Sequence, residues 1–199
     1  MGYSRLKNIL VLANHRQMTD EQLMQKASQG SETAFEELYR RYARRLQGFF
    51  FRQLGGDEEL SADFTHDVFL RVYEARSRYL GGTNVATWFF TIAYNLCKNT
   101  YRHNGHVADY LSTLDSEPVQ EEDVEVRMDQ EILHQALSHV LQSLPPPLRL
   151  LFSLHYEEEL TTAQIAKIEN LPEGTVKSRL HKTMNISRKE LKQYENDFQ

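Results

Sequence analysis

Residues 160–183 read LTTAQIAKIENLPEGTVKSRLHKT. Thr161 and Gln164 have the T-x-x-Q spacing of a capping box, in which each side chain satisfies the other's backbone N–H at a helix start. Ile165 and Ile168 then share an inward face, and Ala166 is small where a second helix could cross closely. Leu171 plugs a turn, and Pro172 suits the first position of the next helix, where its missing N–H is no loss. Val176 and Leu180, four apart, face the core and leave Gly174, Thr175, Lys177, Ser178, Arg179, His181 and Lys182 on the outer surface. This is a helix-turn-helix pattern over 162–181, and its polar outer face belongs to the recognition helix. Two amphipathic helices around a proline turn also make an ordinary helical hairpin. The charge separates the two readings: residues 174–192 hold six Lys or Arg against one Glu, a local +5. With the short outward side chains of Thr175 and Ser178, that cationic surface suits a DNA major groove.

The rest of the chain has the opposite sign. Its 199 residues carry 23 Lys or Arg and 28 Asp or Glu, a net charge of −5, which argues against a non-specific nucleic-acid coat but says nothing of a local patch. The single cysteine, Cys97, excludes an internal disulfide and fits a reducing, cytoplasmic setting. No apolar run approaches the roughly 18 residues of a membrane span, and the start lacks a signal-peptide pattern, so no membrane insertion is expected. The eight histidines are scattered; His103 and His106 have no Cys or acidic partner at metal-ligand spacing. No Gly-rich phosphate loop or Ser/His/Asp arrangement occurs. No metal, cofactor or catalytic residue is expected, and the chain reads as a non-enzyme.

Working toward the N-terminus, a helix over about 147–158 carries Leu148, Leu151, Phe152 and His155, with the prolines of 145–147 at its start. Another, over about 126–143, carries Met128, Ile132, Leu133, Leu137, Val140 and Leu141. Residues 115–131 hold eight acids and one Arg, a composition that repels itself and reads as a flexible linker. Before it lie four helical patterns. Asp20 can cap the first, with Leu23 and Ala27 inward; Ser31 the second, with Phe35, Leu38, Tyr42, Leu46 and Phe49; Asp57 the third, with Phe64, Val68, Val72 and Ala75. The fourth runs from about Val85 to Arg102 with Trp88, Ile92 and Leu96 on one face. The expected fold is all-α: a disordered extension (1–18), a four-helix bundle (19–104), an acidic linker (105–127) and a helix-turn-helix domain (128–192).

Three motifs in order now carry a family resemblance. LPEGTVKSRLHK, preceded by LTTAQIAKI and LPPPLRLLFSLHY, resembles the C-terminal domain of the extracytoplasmic-function (ECF) sigma factors of bacterial RNA polymerase. SADFTHDVFLRVYEAR is similar to that family's polymerase-binding segment, although His66 stands where a Gln is usual. NVATWFFTIAYNLCKNTYR is similar to its promoter-melting, −10-reading helix. The resemblance implies core RNA polymerase, promoter DNA and an anti-sigma factor as partners. It assigns polymerase binding to Asp63, His66, Asp67, Phe69 and Leu70. It assigns −10 DNA binding to Trp88, Tyr94, Asn95, Lys98, Asn99 and Arg102, with Asn95 reading a flipped base. The −35 contacts fall to Thr175, Lys177, Ser178, Arg179, His181 and Lys182. From the residues alone, Asp63 and Asp67 equally describe a solvated acidic face, and Trp88 either a stacking platform or core. Two other functions remain compatible with the pattern: a stand-alone helix-turn-helix regulator, and a helical adaptor that binds only protein.

Overall fold

The computed structural model describes residues 15–103 and 140–197. Contacts divide the chain into two compact units, Met1–Leu96 and Cys97–Gln199, with the border inside one helix. Every regular element among the described residues is helical, as expected. They are α1 (Asp20–Ser28), α2 (Glu32–Gln53), α3 (Glu58–Ala75) with a 3-10 turn (Arg76–Arg78), α4 (Val85–His103), α5 (Pro146–Phe152) running into a π turn (Ser153–Glu157), α6 (Thr162–Glu169) and α7 (Glu173–Asp197). The expected linker at 105–127, and the helix expected over 126–143 up to residue 139, lie outside the described residues; residues 140–143 are helical.

In the first unit the helix starts follow local chemistry. Ser31 accepts from the Ala34 N–H at 3.3 Å and Asp57 from the Leu60 N–H at 2.9 Å, as read from the sequence. The first cap differs: Thr19, not Asp20, caps α1, in a capping box with Gln22. This frees Asp20 for another task. Its carboxylate accepts from Arg41 Nη1 at 2.7 Å and from the Tyr42 hydroxyl. The same guanidinium donates to the carbonyls of Met18 (2.9 Å), His15 (3.2 Å) and Arg16 (3.1 Å), and through Nε to Glu37 at 3.0 Å. Residues 15–18, expected to belong to a disordered extension, are therefore held against α2. Past the end of α2, Gly55 and Gly56 take φ values of +72° and +87°, a region that favours glycine, and the Gly56 N–H closes on the Phe51 carbonyl at 2.9 Å.

The bundle core is aromatic. Phe89 of α4 stacks on Tyr42 at 4.5 Å between centroids and meets Phe69 edge-on at 5.3 Å, while Phe90 meets Phe49 at 5.5 Å. This corrects the expected face of α4. The buried stripe is Val85, Phe89, Ala93 and Cys97, with Phe90 beside it; Trp88, Ile92 and Leu96 are only half-buried. Ala93 and Cys97 are small enough to let the helix settle inward while Phe89 and Phe90 fill the space. Burial pushes the Cys97 thiol well above its ordinary range, which leaves it unreactive.

In the second unit Leu141, Leu144 and Phe152 cluster against Met184 and Ile186 of α7. Helix α5 opens on its prolines as expected but does not run straight to 158. It passes into the π turn, where the Glu158 N–H reaches the Ser153 carbonyl at 3.0 Å and His155 Nδ1 donates to the Leu160 carbonyl at 2.9 Å. Glu159 then takes a left-handed φ of 56°, turning the chain into α6.

Candidate functional site

The helix-turn-helix forms from the predicted signals. Thr161 and Gln164 make the capping box, with the Thr161 N–H donating to Gln164 Oε1 at 2.8 Å. Asn170 ends α6 in the left-handed conformation (φ 55°), and the Leu171 N–H returns to the Ala166 carbonyl at 3.0 Å. Pro172 stands just ahead of α7 rather than inside it, its carbonyl accepting from the N–H groups of Thr175 (3.0 Å) and Val176 (3.2 Å). Across the turn the Thr162 hydroxyl donates to the Glu173 carboxylate at 2.8 Å, and Lys177 pairs with Glu173 at 3.0 Å. Those bonds, that from Lys177 first, hold the Glu173 carboxyl below its ordinary range.

Val176 and Leu180 are buried, and the same face continues through Thr183 and Ser187, a polar continuation that hydrophobic pattern could not reveal. Of the residues expected on the outer surface, Gly174, Lys177 and Ser178 are exposed, and Thr175, His181 and Lys182 are half-buried. Arg179 departs from expectation. Its side chain is only 12% exposed and lies 3.7 Å from the Glu169 carboxylate, itself 4% exposed. A helix advances about 100° per residue, so the residue after Ser178 turns toward α6 although its charge matches its neighbours. Burial pushes the Glu169 carboxyl up to about 7, against the opposing pull of Arg179 and then Lys98.

Helix α4 carries a second polar face. Trp88, Ile92, Asn95, Asn99 and Arg102 follow the i, i+4, i+7, i+11, i+14 rule and form one stripe, with Asn95, Asn99 and Arg102 exposed; Tyr94 and Lys98 flank it, half-buried. Trp88 lies parallel to Tyr79 at 5.8 Å, and the Tyr79 hydroxyl donates to the Thr83 carbonyl at 2.6 Å. Tyr79 was not singled out from the sequence; a lone aromatic in the loop ahead of Trp88 is its only signal. The helix is anchored by Asn84, whose Oδ1 accepts from the Thr87 N–H at 2.8 Å.

On α3, Asp63 and His66 are exposed, Leu70 is 47% exposed, and Asp67 pairs with Arg71 at 3.7 Å. Phe69 is 4% exposed and belongs to the core, against Tyr39 at 4.5 Å and Phe35 at 6.2 Å. The apolar surface expected of Phe69 comes instead from its neighbours Tyr39, 50% exposed, and Tyr73, 37% exposed, the latter covered by the Arg76 guanidinium at 3.6 Å. Among the described residues no cluster of His, Cys, Asp or Glu could hold a metal ion, and no helix is long and apolar enough to cross a membrane.

Against known families, residues 38–107 match the model of Sigma-70 region 2 and residues 134–185 that of Sigma-70 region 4. The chain is 30% identical to the RNA polymerase sigma factor CarQ of Myxococcus xanthus, over 80% of this chain and 90% of CarQ. It is 28% identical to the ECF RNA polymerase sigma-E factor of Escherichia coli (strain K12), over 82% and 90% of the two chains. To the ECF RNA polymerase sigma factor SigW of Bacillus subtilis it is 26% identical, over 88% and 98%. Among solved structures it shares its fold with CnrH in complex with the cytosolic domain of CnrY, at a TM-score of 0.63 and 18% identity over 84% of this chain and 94% of that one. It shares it also with the sigma factor RpoE in complex with the anti-sigma factor NepR from Bartonella quintana, at 0.60 and 22% over 79% and 96%.

Proposed function

The chain belongs to the extracytoplasmic-function RNA polymerase sigma factors, and from this we propose how its three faces divide the work of initiation. Asp63, His66, Asp67 and Leu70 of α3 dock on a basic surface of core polymerase, with Tyr39 and Tyr73 widening the contact. The exposed face of α7 enters the major groove at the −35 element. The stripe on α4 reads and holds the −10 strand once it has left the duplex. The polymerase supplies all covalent chemistry, and the protein acts where polymerase and promoter are, in the cytoplasm. An anti-sigma factor that covers these faces is the expected regulator.

The observation that carries this reading is the α4 stripe. Single-stranded DNA is held by bases stacked on aromatics, each worth about 1–3 kcal/mol, and by cations along the backbone. Trp88 supported by Tyr79, two exposed amides and Arg102 on one helix face meet that need. Asn95 can donate to and accept from a base edge, but a pairing edge is reachable only after unstacking. A regulator confined to duplex DNA has no use for such a face.

Run-off transcription with purified core enzyme, combined with permanganate footprinting, tests this. Promoter thymines near −10 become reactive with the wild-type protein. Asn95→Ala lowers transcription from duplex promoters and costs less on a template with a pre-opened −10 bubble. Unreactive thymines with wild-type protein and core polymerase refute the melting role.

A further inference from the structure

We propose that Glu169 and Arg179 are a positioning pair that fixes the recognition helix α7 against α6, and that Arg179 makes no phosphate contact. The inference rests on the −35 reading of α7 given above. Glu169 is the last residue of α6 and Arg179 lies in the second turn of α7, so the pair spans the turn at 170–172 that sets the angle between the helices. Both side chains are nearly closed to solvent, at 4% and 12% exposure, and they approach to 3.7 Å. A charge is retained in such a place only when something opposes it, and a buried pair is better suited to specifying an arrangement than to adding stability. A second side-chain tie across the turn, Thr162 to Glu173, is exposed, and Glu173 is shared with Lys177. Exposed ties of that kind hold geometry weakly. The buried pair therefore constrains the helix angle more firmly than that exposed tie does, and the faces of Lys177 and Ser178 are aimed through it.

The pair also has a pH signature. The charges that act on Glu169 are Arg179 from α7 and Lys98 from α4, and burial outweighs them to leave the carboxyl near 7. Its folded value is raised above the ordinary carboxylate value, so its contribution to stability is full below about pH 4.5 and is lost as pH rises through about 7. The ionised pair, present above pH 7, is the one that holds the helix. Stability and −35 discrimination should thus move in opposite directions with pH, which a group with a purely structural role would not produce.

The test uses holoenzyme, assembled from the full chain and core polymerase, on promoter duplexes with matched and mismatched −35 elements. Arg179→Met should lower the matched-to-mismatched affinity ratio roughly tenfold, the size of one well-made base contact, with the salt dependence unchanged. Lys177→Ala, removing a cation on the exposed face of α7, should weaken both duplexes alike and reduce the slope of log affinity against log salt by about one. If Arg179→Met reduces that slope while leaving the ratio intact, Arg179 is a direct phosphate contact and the proposal is overturned. Should Arg179→Met fail to fold, Glu169→Gln decides. The wild-type ratio should rise between pH 6 and 8.5 while that of Glu169→Gln stays flat, and the thermal midpoint of wild type should fall relative to the variant over the same range. His181 is common to both proteins, so the difference isolates Glu169. Identical pH profiles overturn the pair alone, whereas a wild-type holoenzyme indifferent to the −35 sequence overturns the −35 reading itself.

Discussion

Glu37 in the helical bundle and Glu169 in the helix-turn-helix are both buried carboxyls beside arginines, yet they are driven in opposite directions. Glu37 receives Arg40 through two bonds of 2.6 and 2.9 Å and Arg41 through one of 3.0 Å, with the Arg40 bonds the largest influence, and its carboxyl is lowered to about 2. Glu169 has its arginine at 3.7 Å, beyond hydrogen-bonding distance, and burial lifts it to about 7. Proximity of opposite charges is common to both; donor geometry separates them. The bundle is locked by saturated, charge-assisted bonds that also hold residues 15–18. The helix-turn-helix is held by a looser pair on which solution conditions can act. On the proposed division of roles, a scaffold that carries a melted strand and a reader that must settle into a groove have different needs for rigidity.

The largest effect expected from breaking this contrast lies in the aromatic core of the bundle. Phe89→Ala should cost about 3–5 kcal/mol in denaturant unfolding, because Phe89 is fully buried and its ring meets Tyr42 and Phe69. Trp88→Ala, one residue earlier but half-buried, should cost about 1 kcal/mol, the scale of an aromatic pair, while impairing promoter opening. Equal costs for the two would place the α4 stripe on the wrong side of the helix.

Next comes the clamp. Arg41→Ala removes five bonds and leaves Asp20 and Glu37 without their shared cation, so a loss of about 3 kcal/mol is expected. The pH dependence has a definite sign. Glu37 is depressed, so its contribution is present above about pH 4.5 and lost as pH falls toward 2. Protection factors for amide exchange in α2, which divide out the intrinsic pH dependence, should therefore fall below about pH 4 in wild type, and Glu37→Gln should flatten that dependence. An unaltered acid profile in Glu37→Gln would assign the lability to another carboxyl.

The docking face gives an effect of similar or slightly smaller size. Asp63 and Asp67 lie on one side of α3, and Asp67 is already partly engaged by Arg71. Replacing both with Lys opposes like charges across the proposed interface and should weaken association with core polymerase by about a hundredfold, or about 2.7 kcal/mol. Circular dichroism should show unchanged helical content. Normal co-purification would reduce the acidic face to solvated surface.

What the sequence made legible follows the same division between local and phased information. The caps at Ser31, Asp57 and Thr161 with Gln164, and the turn through Leu171 and Pro172, could be read because each is settled by side chains within a few residues. Helical phase was harder. In α4 the run Trp88, Phe89, Phe90 gives three aromatics within 200° of arc, so hydrophobicity alone could not choose the inward ones; Ala93 and Cys97 decide it by being small. In α7 the mistake was one of charge, since Arg179 stands among cations whose side chains face out. Phe69 is a similar case, an apolar residue expected at the surface that packs in the core while its neighbours Tyr39, Leu70 and Tyr73 are exposed. Apart from the i,i+4 spacing of Glu37 and Arg41, the Arg41 clamp left no signal, for its other bonds join positions 21 to 26 residues apart mainly through backbone carbonyls.

The smallest effect provides the finest test of phase on α7. Lys177 and Ser178 are consecutive and both exposed, but their chemistry predicts different readouts. Lys177 is 64% exposed and held by Glu173 at 3.0 Å, which directs it along the helix rather than toward a base edge. It should therefore act on phosphates, which position the protein without carrying sequence. Lys177→Ala should weaken every promoter by a similar factor and lower the salt slope by about one. Ser178 has no charge to contribute; a single neutral hydrogen bond is worth about 1 kcal/mol. Ser178→Ala should change overall affinity by only about fivefold, but that change should fall at one −35 position and leave the salt slope alone. Selection over randomised −35 sequences with holoenzyme measures both at once. A shifted preference in Lys177→Ala and an unshifted one in Ser178→Ala would rotate the reading face of α7 by one residue, toward Lys177 and away from Ser178.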